Sequence, residues 1–148
     1  MENDTESKKF KATLDSLSSI REYVTEQASK AGIDKNRIYK LCLAVDEIAT
    51  NIINYGYLRS GIKNAHVQAI ITKNAKHFSV VLEDTAPPFN PFERELPNDE
   101  ELNKPLEERP IGGLGIMLAK DSVDEFRYEY KNSTNRNIFR INICNEDT

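Results

Sequence analysis

Between Ile38 and Ile53 the chain places Ile38, Leu41, Cys42, Val45, Ile48, Ala49, Ile52 and Ile53 at spacings of three and four residues. That period draws one continuous apolar stripe along a helix, and a stripe of this length must be covered by a second layer of structure. Asp34 stands where the helix needs an N-cap, and the helix is expected to end near Gly56. An earlier helix is expected from a cap at Asp15 to about Lys30, with Leu17, Ile20, Tyr23, Val24 and Gln27 as its stripe and Gly32 as its stop. Before it, residues 8–13 read as a short strand, and the first seven residues are polar and expected to fray.

The covering layer is legible as strands. Residues 65–72 alternate through Val67, Ala69 and Ile71, residues 78–82 read as a buried strand, and Asn74 and Ala75 lie between them as a hairpin turn. Residues 85–111 hold all six prolines and no periodicity, so a long functional loop is expected there. A helix to about Asp121 and strands over 125–130 and 137–143, joined by a polar turn, complete the chain. The order βααββ, loop, αββ predicts an α+β fold: a two-layer sandwich with a mostly antiparallel mixed sheet and helices on one face. The length of 148 residues suits one domain, over residues 8–145.

Charge is unevenly placed. Residues 93–109 carry seven acids and three bases, which accounts for the whole net charge of −4 and leaves the rest of the chain neutral. This argues against a general nucleic-acid-binding surface. No apolar run is long enough to cross a bilayer and no signal peptide is evident at the start, so a soluble protein is expected. The two cysteines, Cys42 and Cys144, form no CxxC pair, which fits the cytoplasm, and Cys42 reads as a buried thiol. With only His66 and His77 added, a histidine and cysteine zinc site lacks ligands, so any metal must be oxygen-bound.

Three constellations could carry chemistry. On the long helix, Glu47, Asn51 and Asn54 cluster opposite the apolar arc. Such a stripe is commonly just a solvated face, but a carboxylate and an amide oxygen one turn apart can divide labour, one accepting a proton and the other binding a hard cation such as Mg²⁺. Asp84 ends a buried strand in the run Glu83-Asp84-Thr85-Ala86-Pro87-Pro88-Phe89-Asn90-Pro91, where it either caps the turn or accepts a hydrogen bond from a donor such as the exocyclic amine of a base. Ile111-Gly112-Gly113-Leu114-Gly115-Ile116 leads into a helix whose first amides suit phosphate oxygens, although such a run is also a packing device. It is neither a P-loop nor a dinucleotide fingerprint.

The combination and order of these elements resemble the GHKL (histidine-kinase-like) ATPase superfamily. The runs DEIATNIINYGY, DTAPPFNPFE and LEERPIGGLGIMLAKDSVDEFRYEY, with the small size, look most like its anti-sigma-factor serine/threonine protein kinases. The resemblance spans about residues 10–143 and implies ATP and Mg²⁺ as cofactors. It implies Glu47 as general base and Asn51 as Mg²⁺ ligand. Asp84, with Ala86 beside it, would be the adenine-binding group, Arg109 would reach the terminal phosphate, and the backbone of Gly112, Gly113, Leu114 and Gly115 would hold phosphate oxygens. Residues 93–111 become the ATP lid, with Glu95, Asp99, Glu100 and Glu101 turned to solvent or to a basic partner. Two positions depart from the pattern: Ala86 stands where a glycine is usual, so its backbone has to avoid left-handed geometry, and Tyr55 stands where histidine is frequent.

The implied function is an anti-sigma-factor kinase that phosphorylates a STAS-domain anti-sigma-factor antagonist, sequesters a sigma factor and forms a homodimer, with no direct nucleic-acid or membrane partner. The alternative is an ATP-binding regulatory module that binds a partner without phosphotransfer, for which Glu47 would be unnecessary. A histidine-kinase-like domain acting on a separate phosphoacceptor fits less well, because no histidine-bearing dimerisation helix is recognisable.

Overall fold

The computed structural model describes residues 4–58, 60–91 and 113–143. Its elements are β1 (Asp4–Lys11), a 3₁₀ turn (Leu14–Ser16), α1 (Leu17–Lys30), α2 (Lys35–Asn51), a π-helical segment (Ile52–Leu58), β2 (His66–Lys73), β3 (His77–Asp84), α3 (Gly113–Ser122), β4 (Glu125–Lys131) and β5 (Thr134–Asn142). The strands form one sheet in the order β1-β2-β3-β5-β4, and every neighbouring pair is antiparallel. The α+β sandwich is as expected from the element order; the sheet is antiparallel throughout the described residues rather than mixed.

One sheet face carries the helices. Val67, Ala69 and Ile71 of β2, Phe78, Val80 and Leu82 of β3, and Phe139 and Ile141 of β5 meet Ile20, Val24, Leu41, Val45, Ile48 and Ile53 in a continuous core. Each such side chain taken wholly out of water contributes about 1.5–3 kcal/mol. Phe126 of β4 stacks on Phe139 with centroids 4.8 Å apart. Toward one end this inner face turns polar. Leu82 pairs with Asn137, and the last pair in the ladder is Asp84 with Asn135.

Local signals explain most boundaries. Asp34 caps α2 by accepting from the Arg37 amide, and Gly32 leaves α1 at φ +82°. In the β2–β3 turn Asn74 Oδ1 accepts from the amides of Lys76 and His77, both at 2.8 Å. Asn132 and Ser133 turn β4 into β5 at φ 53° and 59°, the geometry of a tight hairpin.

Four expectations are corrected. Asp15 does not cap α1; it lies in the 3₁₀ turn, and Ser16 occupies the N-cap without a side-chain bond. The amino terminus is ordered into β1 from Asp4, because its backbone pairs with β2 along its length although only Phe10 is buried. β5 starts at Thr134 rather than at 137, its buried asparagines hiding the alternation from a hydropathy reading. The long helix does not run unbroken to Gly56: after Asn51 it widens into the π-helical segment. Cys42 is buried as expected. Among the described residues no helix is long and apolar enough to cross a membrane.

Candidate functional site

The site forms where α2 ends over the polar end of the sheet. Asn51 is the last residue of α2, only 1% exposed, and neither end of its amide has a hydrogen-bond partner. A polar side chain held this way is costly unless something else meets it. The solvated-face reading of the Glu47, Asn51 and Asn54 stripe therefore fails at its middle member, whose amide enters a cleft beside Ile48 and Ile52. Glu47, one turn earlier, is half-buried and is not among the described residues lining that cleft. The switch to π geometry directly after Asn51 changes the helical register, so Asn54 no longer continues the stripe at α-helical spacing.

Across the cleft Asp84 is 4% exposed. Its Oδ1 accepts from the Ala86 amide at 3.1 Å and from Asn135 Nδ2 at 2.9 Å. Burial pushes its pKa up to about 6, against the opposing pull of the Asn135 and Ala86 hydrogen bonds. The strand-ending carboxylate thus does cap its turn, and it also faces the cleft that holds Asn51.

Residues that sequence reasoning missed hold this arrangement together. Asn135 Nδ2 also donates to the carbonyls of Ala86 at 3.0 Å and Pro87 at 3.3 Å, while its Oδ1 accepts from the Phe89 amide at 3.2 Å and from the Tyr128 hydroxyl. The buried Tyr57 hydroxyl donates to the His66 carbonyl at 3.0 Å and accepts from the Thr85 amide at 2.8 Å, tying the π-helical segment to the residue after Asp84. The only sequence signal was two asparagines at alternate positions of a strand otherwise buried on that side.

The two departures from the family pattern both find a place. Ala86 is not among the residues with positive φ, and its Cβ lies 3.1 Å from where a Cβ on Gly56 would be. The absence of a side chain at Gly56 leaves the space that the Ala86 methyl group occupies. Tyr55 stacks on Phe89 with centroids 6.0 Å apart and rings 5° from parallel. Phe89 and Pro91 line the cleft with Asn51, Asp84, Asn135 and Asn137. Its free space is about 280 Å³, of which about 10 Å³ is wide enough for the centre of a water molecule. That is room for about one water molecule.

α3 begins at Gly113, which puts the backbone of Gly113, Leu114 and Gly115 in a first helical turn, where amides have no intrahelical partner. α3 packs against α2. Arg109, Gly112, the 93–111 segment and its acids, and Cys144 lie outside the described residues.

A family model of the histidine kinase-like ATPase domain matches residues 10–143. The chain belongs to this family. Comparison with curated protein sequences gives no match. Among solved structures, the RsbU and RsbW domains of Rv1364c from Mycobacterium tuberculosis superpose with a TM-score of 0.63 at 14% identity, covering 93% of this chain and 31% of that one. At this identity the likeness shows the fold, and this histidine kinase-like ATPase domain spans about a third of the length of that chain. The cleft between the end of α2 and the Asp84 turn is accordingly the candidate nucleotide site of the domain.

Proposed function

We propose that this protein is an ATP-dependent serine/threonine protein kinase acting as an anti-sigma factor, which phosphorylates a STAS-type anti-sigma-factor antagonist and sequesters a sigma factor. One observation carries the nucleotide part of this reading. Asn51, a buried amide without partners, and Asp84, a buried carboxylate, face one cleft at the junction of helix and sheet. The family match and the likeness to a structure containing an RsbW domain support the remainder.

The donor set fits the cofactors. The Asn51 amide oxygen suits a hard cation, and no group of three or more histidine, cysteine, aspartate or glutamate side chains is placed to hold a metal among the described residues. A hard cation such as Mg²⁺ would be held at Asn51 through its amide oxygen. When bound, ATP supplies the transferable phosphoryl group and Mg²⁺ offsets its charge. The chain's own residues would position and stabilise: Asp84 would accept from the adenine amine, Asn51 would hold the metal, the first amides of α3 would meet phosphate oxygens, and Arg109 would complete the charge. Glu47 accepts the proton of the attacking hydroxyl.

The position of Glu47 outside the cleft lining favours a second reading, an ATP-binding regulatory module without phosphotransfer. Incubation with labelled ATP, Mg²⁺ and candidate STAS proteins separates the two. The kinase labels its antagonist, and Glu47→Gln abolishes labelling while ATP binding persists. Wild-type protein that binds ATP and labels no candidate supports the module instead. Asn51→Ala is expected to abolish Mg²⁺-dependent nucleotide binding, and unchanged affinity would falsify the metal assignment.

A further inference from the structure

Asn137 occupies an inward position in the middle of β5, on the same face as Phe139 and Ile141. It is 2% exposed, and its Oδ1 has no hydrogen-bond partner. Its neighbour on the same face, Asn135, uses both ends of its amide on Asp84, the following turn and Tyr128. Asn137 has no such employment for its oxygen, although its cross-strand partners are Leu82 and Tyr128. A leucine would fill the position without leaving an acceptor unmatched, so the amide makes chemical sense when a donor arrives from elsewhere. Asn137 lines the same cleft as Asn51 and Asp84.

The register places Asp84 and Asn137 as diagonal neighbours across β3 and β5, because Asp84 pairs with Asn135 two residues away. Diagonal neighbours on one face of an antiparallel pair are about 7–8 Å apart, somewhat less between their Cβ atoms. Two acceptor oxygens at that separation can both reach one nitrogen placed between them. Resting on the nucleotide reading above, we propose that Asn137 is a base-contacting specificity residue: Asp84 accepts one hydrogen of the adenine exocyclic amine and Asn137 Oδ1 accepts the other. An exocyclic amine has two hydrogens to give, and Asp84 and Asn137 offer it two buried acceptors on neighbouring strands. Guanine presents a carbonyl oxygen at the same place, which would face two acceptors and bring no donor.

The test compares binding of ATP with that of purine riboside triphosphate, which lacks the amine, to wild-type protein and to Asn137→Leu and Asn137→Ser, by calorimetric titration in Mg²⁺. Wild type prefers ATP. Both variants lose ATP affinity about tenfold, the effect of one neutral hydrogen bond left unmade, while binding of the amine-free nucleotide changes little. The preference ratio therefore narrows, a readout that a folding defect does not produce because it weakens both ligands alike. Asn137→Leu should also keep or raise the melting temperature of the unliganded protein, since it removes an unmatched buried acceptor. An unchanged preference ratio in both variants overturns the assignment of Asn137 while leaving the nucleotide site standing. Failure of wild-type protein to bind ATP overturns the nucleotide reading and this inference with it.

Discussion

Asn135 Nδ2 lies 2.9 Å from Asp84 Oδ1, joining the last cross-strand pair of β3 and β5 through their side chains. The same amide reaches Ala86, Pro87 and Phe89, so a single side chain fixes both the carboxylate and the turn that follows it. Asn135→Ala should cost roughly 3 kcal/mol in chemical denaturation, because it strands several buried polar groups at once. It should also raise the Asp84 pKa further, since the lost hydrogen bond is one of the two that pull it down. A carboxyl titration followed by NMR reads that shift; an unmoved pKa would show that Asn135 shapes the turn but not the charge.

The pH dependence of stability follows from Asp84. Its pKa rises from an unfolded value near 3.8 to about 6 in the folded protein. Between those values the folded state holds more protons, so this group's contribution to stability falls as pH rises through the window and stays low above it. Asp84→Asn keeps an acceptor for Ala86 and Asn135 and removes the buried charge. The variant should be more stable than wild type at pH 7–8, by up to about 3 kcal/mol, and lose that advantage by about pH 4. Denaturation curves across this range check it. A stability difference that does not change with pH would mean that Asp84 is not charged at the cost its burial implies.

Gly56 and Ala86 should behave as a pair. A methyl group on Gly56 would meet the Ala86 Cβ at 3.1 Å, closer than comfortable packing allows, on a turn already held by Asn135 and Tyr57. Gly56→Ala should cost about 1–3 kcal/mol. Ala86→Gly made in the same chain should recover most of it, giving a coupling energy well outside additivity. Additive effects in the double-mutant cycle would show that the two surfaces can relax independently.

The layers of this protein were legible because its apolar residues keep time. The α2 stripe, the alternation of β2, the Asp34 cap and the Gly32 stop are local signals, and each marks the element it should. β1 and the start of β5 were harder to read for the opposite reason. β1 is stabilised by backbone pairing with β2 and buries little besides Phe10, and β5 opens with asparagines that face inward. Hydropathy cannot report a strand held by its ladder or a polar residue held by its neighbours.

The sequence by itself determined the α+β order of elements and put Glu47, Asn51 and Asp84 forward as a chemical set. Only the tertiary structure decided which of them share a space. Asn51 and Asp84 line one cleft because the antiparallel sheet ends in a polar row beneath the last turn of α2, whereas Glu47, one turn back, does not line it. Tyr57 joins the site from the π-helical segment, and Asn135 and Asn137 join it from β5, up to 86 residues from Asn51 in the chain. Hydrogen bonds and burial depend on distance in space, and the sheet register sets that distance where sequence spacing does not.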